Sequence, residues 1–377
     1  MTRKKVLSAV AVILGASALI FVLVMITEVR TYGEQVATGC SDKKPVHTQL
    51  VKSTSPQLKK LAQYELLCKS AIVDQLMVFL PMPTSPSEAN LFADNAARTL
   101  QEFSKNDITP LVLFEPSLTT PSIISDIYDG HYDNVLARYY DRLKVHSLTD
   151  SQMGTWVLFP EANTPTWRIT DPVVFQANLI KVARLQKDAF PTSKVSILLN
   201  SRTHPDNDTS WSNGEIKSLV PYLNTIPEGL LDSFGYQGFP SQSPADNAPG
   251  YRLLKADQFL PTGIAQQAMT TLGIKKIWFN TGTYASIYTS DADKVVRQST
   301  AQRHTILQQI IQQAQTMQGV DVSINIFAED KTKTPESINW SYWQGNAPDK
   351  SPDAHALADF IATLQNEHIE FSLYDTL

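Results

Sequence analysis

The chain has 377 residues, and its 32 Lys and Arg nearly balance 37 Asp and Glu, leaving a formal charge of -5 at pH 7. That balance lacks the concentrated basic face that a phosphate backbone demands, so nucleic acid is not an expected partner. Two cysteines are too few for a disulfide-dense scaffold or a cysteine-built metal centre.

The N-terminus carries Arg3, Lys4 and Lys5 in a basic stub over residues 1–5, and residues 6–27, VLSAVAVILGASALIFVLVMIT, contain no charged side chain. A helix of that length spans roughly 33 Å of hydrocarbon, enough to cross a bilayer. The basic flank keeps the N-terminus in the cytoplasm and sends the rest out. The expectation is a single-pass signal anchor in the cell membrane, with the rest of the chain extracytoplasmic. A cleaved secretory signal is the competing reading, but its apolar part usually runs about 7–15 residues and ends at a small-x-small site. Residues 28–40 read as a stalk and 41–377 as one domain. Cys40 and Cys68 both fall in the exported part, where a bridge and two separate thiols are both open readings.

From about residue 71, short runs rich in Val, Ile, Leu and Phe alternate with longer stretches of helical period, the pattern of repeated strand–helix units around a parallel sheet. The predicted strands are Ile72–Leu80, Pro110–Phe114, Thr155–Phe159, Val195–Asn200, Leu231–Tyr236, Lys276–Asn280 and Val322–Phe327. An eighth is placed ahead of them, near Pro45–Val51, followed by a helix over Gln57–Leu67. After Asp133, the residues Val135, Leu136, Tyr139, Tyr140 and Leu143 fall on one helical stripe; after Pro172, Phe175, Leu179 and Val182 do the same. No Gly-rich phosphate loop follows the first strand, so a single-domain (β/α)8 barrel fits better than an open doubly wound sheet.

In such a barrel the working residues stand at the C-terminal ends of strands. Glu115 ends PLVLFEP, Glu161 ends TWVLFPEAN, and Glu329 with Asp330 ends SINIFAEDK. Glycosidic hydrolysis needs one carboxylic acid to protonate the leaving oxygen and a second carboxylate to attack or to activate water. Any one of these glutamates also reads as an ion pair or a helix cap, but three at strand ends converge on one mouth. Sugar rings pack their CH faces on aromatic rings, and Trp167, Trp211, Tyr236, Trp340 and Trp343 fall at strand ends or in loops. Trp156 and Trp278 lie inside strands and read as packing. His131, His204, His304 and His355 show no metal-ligand spacing, and neither a G-x-S-x-G elbow nor a P-loop is present, so no metal, cofactor or phosphoryl chemistry is indicated.

The segments GHYDNVLARYYDRLK and GTWVLFPEANTPTW resemble glycoside hydrolase family 26, the β-mannanase-type barrels: Gly130, Tyr132 and Asp133 lead a helix, and Glu161, Asn163 and Trp167 end and follow an apolar strand. PLVLFEPS is similar to the family's Trp-Glu-Pro element with Phe114 in place of the Trp, LLDSFGYQGFP to its sixth-strand segment, and INIFAEDKTKTPESINWSYW to its eighth. The resemblance implies Glu161 as general acid/base, Asn163 as substrate-binding, Tyr236 as orienting the second carboxylate, and Trp side chains as subsite walls for a polysaccharide or other glycan. It also exposes departures. The family's nucleophile is a Glu ending the seventh strand in a Glu-x-Gly pattern; aligning Gly282 with that Gly puts Asn280 at the nucleophile position, and an amide cannot form the glycosyl-enzyme ester. Pro160 stands where the family commonly has His. Three readings stay open: a hydrolase of a β-linked polysaccharide with Glu329 or Glu115 as second carboxylate, an inactive barrel that binds carbohydrate at the surface, and an adhesion or scaffold domain.

Overall fold

The computed structural model describes residues 75–116, 122–163, 172–201, 223–242, 252–282, 286–289, 294–297, 300–327 and 370–374. In chain order the strands are β1 (Gln75–Pro81), β2 (Thr109–Glu115), β3 (Thr155–Leu158), β4 (Lys194–Asn200), β5 (Ser233–Gln237), β6 (Ser241–Gln242), β7 (Arg252–Leu253), β8 (Lys276–Thr281), β9 (Ser286–Thr289), β10 (Lys294–Arg297), β11 (Asp321–Phe327) and β12 (Glu370–Tyr374). Eight of them close a parallel barrel in the order β1-β12-β11-β8-β5-β4-β3-β2, while β6 with β7 and β9 with β10 form two small antiparallel ribbons. The helices are α1 (Pro86–Ser104), α2 (Ile123–Tyr128), α3 (Asp133–Val145), α4 (Asp150–Met153), α5 (Pro172–Ala189), α6 (Ala256–Phe259), α7 (Thr262–Leu272) and α8 (Thr300–Gln315). The expected closed α/β barrel is therefore present.

All seven strands expected from residue 71 onward are found, with ends displaced by up to three residues. The eighth is not supplied from ahead of them. β12, near the C-terminus, pairs with β1 (Gln75 opposite Ser372) and with β11 (Ser323 opposite Glu370), and so fills the last place in the barrel. The segment Pro45–Val51 lies outside the described residues, as do the Gln57–Leu67 helix, the anchor at 6–27, the stalk at 28–40, Cys40 and Cys68. Five residues of EFSLY carry too little periodicity to declare a strand without the two neighbours that receive their hydrogen bonds. The correction renumbers the mouth: Glu161 follows the third barrel strand rather than the fourth, Asn280 stands on the sixth, and Asp321–Phe327 is the seventh. Among the described residues no helix is long and apolar enough to cross a membrane.

Successive side chains of a strand point to opposite faces, and here both faces are covered, which explains the near-continuous apolar runs. Met77, Leu111, Leu113, Val157, Leu198 and Trp278 form one buried cluster inside the barrel. Val78, Val112, Trp156, Ile197, Phe234 and Phe279 belong to a second, larger one that includes the apolar faces of the helices. Trp278 lies over Gly235 of the neighbouring strand, where an added Cβ would come 2.2 Å from its ring, and its Nε1 donates to Ser196 Oγ at 3.0 Å.

Outside the barrel, the predicted stripe of α3 is wholly buried. Phe114, Tyr139 and Trp156 interlock there, with centroid separations of 5.3 Å from Phe114 to Tyr139 and 5.0 Å from Phe114 to Trp156. α1 begins with Ser85 capping Glu88 N and Pro at its start, both suited to a first turn. It is tied to α3 by Asp94, which accepts from Arg142 Nε at 2.6 Å and lies 2.6 Å from His146 Nε2; these bonds hold the Asp94 carboxyl down to about 2.

Gly235→Ala should force the Trp278 ring or the strand to move and destabilise the fold by at least about 1–3 kcal/mol, the usual result of overpacking. Urea unfolding measures this, and an unchanged midpoint would contradict the described contact.

Candidate active site

Because Leu111 and Leu113 face inward, alternation turns Glu115, two residues on, to the same side at the C-terminal end of β2, with Phe114 pointing out into the aromatic layer. Glu115 stands opposite Pro81 of β1, and its carbonyl accepts from Met82 N at 2.7 Å. The strand thus delivers an acid to the barrel mouth on rigid backbone.

β3 ends differently. Alternation would aim Phe159 inward, but its φ of 50° turns it away, and it packs against Phe175 of α5 at 6.5 Å. Pro160 follows and has no N–H to extend the ladder. The next donor, Glu161 N, takes the Leu198 carbonyl at 2.7 Å, with Glu161 itself at φ 58°. Two left-handed non-glycine residues within three positions are costly, and such strain persists only where the surroundings fix it. Asn163 does part of that fixing: its Nδ2 donates to Asn200 O at 2.8 Å, and its Oδ1 accepts from Asn200 N at 2.7 Å. Both atoms of the amide expected to touch substrate are engaged with β4 backbone.

Across the barrel, Gln237, Asn280 and Asn325 stand side by side in register on β5, β8 and β11. Asn325 Nδ2 donates to Asn280 Oδ1 at 2.5 Å, and Asn280 Nδ2 donates to Gln237 Oε1 at 2.6 Å. All three are buried, and Asn280 is only 2% exposed. Asn280, aligned in sequence with a nucleophile expected on the seventh strand, instead stands on the sixth, at the centre of an uncharged amide row. Tyr236, by contrast, does not face the mouth. Alternation on β5 turns Gly235 and Gln237 inward and puts Tyr236 behind the sheet, fully buried beside Phe234 with ring centroids 6.0 Å apart. A tyrosine at a strand end suggests a subsite wall, but one residue of parity decides otherwise.

Burial first, and the Glu161 charge second, push the Glu115 carboxyl up to about 8. Glu115 ends β2 and Glu161 follows the end of the neighbouring β3, so adjacent strands bring both acids to the C-terminal end of the barrel. The remaining expected site residues, Glu329, Trp167, Trp211, Trp340 and Trp343, lie outside the described residues, as does Asp330. Gly130, Tyr132 and Asp133 form a structural turn: Gly130 adopts φ 82°, Tyr132 is buried, and Asp133 pairs with Lys181 of α5 at 3.1 Å. His131 is exposed beside Asp126. Trp156 and Trp278 are packing residues as expected, one outside the barrel and one within.

Sequence reasoning overlooked Gln237, Asn325 and Asn200. The signal was available in the alternation itself: Gly235 and Trp278 are inward, so Gln237 and Asn280 follow at i+2.

No family model matches the sequence, and no curated protein sequence matches it. Solved structures do. A β-glucosidase from Thermotoga maritima in complex with deoxynojirimycin superimposes with a TM-score of 0.51 at 13% identity, covering 81% of this chain and 86% of that one. The apo structure of a β-glucosidase designated 1317 gives 0.54 at 10%, over 82% and 88%. An endo-β-1,4-mannanase from Thermotoga petrophila gives 0.50 at 10%, over 82% and 72%. The shared feature is the fold: this chain has a barrel like those of β-glycosidases.

The raised Glu115 carboxyl has a thermodynamic signature. Its value is about 8 in the folded protein against about 4.5 in an ordinary setting, so between those pH values the folded state holds a proton that the unfolded chain has lost. Its contribution is fully present below pH ~4.5 and declines as pH rises to ~8, with a slope of at most about 1.4 kcal/mol per pH unit. Glu115→Gln should flatten that part of the stability profile, measured by denaturant unfolding from pH 4 to 9. A profile identical to wild type would place Glu115 in water instead.

Proposed function

We propose that the chain is a membrane-anchored, extracytoplasmic protein of the glycoside hydrolase type, acting on a β-linked polysaccharide with Glu161 as general acid/base. One observation carries the reading: Glu115, its carboxyl raised by burial, ends β2, and Glu161 follows the neighbouring β3, at the C-terminal end of a barrel similar to those of β-glucosidases and a β-mannanase. The resemblance to glycoside hydrolase family 26 supplies the finer assignment. In this reading Trp167, Trp211, Trp340 and Trp343 provide the aromatic walls, and the charge-free N-terminal segment tethers the barrel outside the cell.

The chemistry requires two carboxyl groups. One protonates the leaving oxygen and then activates water, while the other attacks the anomeric carbon or activates water directly. The amide of Asn280 can do neither. Glu115 is the described partner; Glu329, two residues beyond the seventh barrel strand, is the other. The amide row favours a second reading, a barrel that holds carbohydrate without cleaving it, since Asn280 gives hydrogen bonds but no covalent intermediate.

The full chain in detergent, given a panel of β-linked glycans with binding and reducing-end release measured separately, distinguishes these readings. Release by wild type should fall about 10²–10⁴-fold in Glu161→Gln, the usual contribution of a general acid/base, with binding retained. Wild-type turnover in that variant would remove Glu161 from the chemistry, and binding without release in the wild type would favour the second reading. Asn280→Glu places a carboxylate between the amides of Gln237 and Asn325, either of which can donate to it, and should increase release. No gain on any glycan would count against Asn280 as the vacant nucleophile position.

A further inference from the structure

The turn after β3 holds a glutamate in a conformation that its own backbone disfavours, so something outside the turn must hold it there. Phe159 at φ 50° and Glu161 at φ 58° flank Pro160, and a backbone bond from Glu161 N to Leu198 O at 2.7 Å ties this stretch to the ladder. Two residues on, the Asn163 side chain spans both polar groups of the Asn200 main chain, at 2.8 and 2.7 Å, where β4 ends. The side chain thus continues the β3–β4 pairing past the point where Pro160 interrupts it, as a backbone mimic of the kind asparagine offers.

We propose that Asn163 is a positioning residue rather than a sugar-binding one: its clasp on Asn200 fixes the strained turn that carries Glu161 at the end of β3, next to the strand that ends in Glu115. The proposal rests on reading Glu161 as the working acid, but its test needs no substrate. Among the described residues, the one charge that raises the Glu115 carboxyl is that of Glu161, while Pro81, opposite it on β1, and Met82, which donates to its carbonyl, carry none. Glu115 therefore reports where Glu161 is.

The experiment follows the Glu115 side-chain carboxyl by carbon NMR through a pH titration of the full chain, the resonance being assigned by its loss in Glu115→Gln. Glu161→Gln removes the neighbouring charge and should move the Glu115 midpoint to lower pH. Asn163→Ala should move it in the same direction by a comparable amount, as should Asn163→Ser, whose hydroxyl is too short to span both backbone groups; the second variant serves if the first does not fold. Gly235→Ala, destabilising but remote from the turn, should leave the midpoint where it is. A midpoint that shifts in Glu161→Gln but not in the Asn163 variants would overturn the positioning role, leaving the clasp as a contribution to stability alone. A midpoint that shifts in neither would overturn the pairing of Glu115 with Glu161, and the proposal with it. The shifts seen in a wild type that releases no sugar from any glycan would uphold the positioning role while refuting hydrolysis, so the two failures are distinguishable. Where release is measurable, loss of the clasp should lower kcat with KM little changed, since the glycan contacts are left intact.

Discussion

Period-two alternation inside a closed ring of parallel strands is the constraint on which the rest of this molecule depends. Closure fixes the register of each strand against two neighbours, so a side chain's direction at the mouth follows from its distance to the apolar layer below. Leu113 inward makes Glu115 inward and Phe114 outward; Trp278 inward makes Asn280 inward. Gly235 is small because the Trp278 ring occupies the space its side chain would need. The mouth is thus an extension of the core's own arithmetic.

The end of β3 is where that arithmetic is interrupted, and the interruption is where the central glutamate sits. Pro160 removes a ladder donor, two residues take left-handed dihedrals, and the asparagine clasp on β4 restores the lost pairing with a side chain. Strain at a strand end is sustained by such over-determination, and at Glu161 it fits a site where a carboxylate must point in a direction regular backbone would not give it.

Opposite this turn the barrel presents amides. Three hydrogen-bonded side chains in register give a polar but uncharged wall, while burial and the Glu161 charge raise the Glu115 carboxyl. A carboxylate at Asn280 would change that balance. The two described acids thus belong to the β2–β3 side of the mouth, and the β5–β8–β11 side carries amides.

Most of the architecture was legible in the sequence, because strands buried on both faces and helices with one apolar stripe write their periods directly into the residue order. Seven strands, the α3 stripe and the strand-end position of Glu115 and Glu161 were all readable that way. The eighth strand was not: EFSLY acquires its identity only from the two edges it joins, and those edges are brought together by closure. Nor could sequence order tell that Asn280 is locked between two amides or that Asn163 grips β4. Local composition decided which residues lie at strand ends; which of them face each other was decided by register between strands far apart in the chain, a long-range property that single-chain periodicity does not carry.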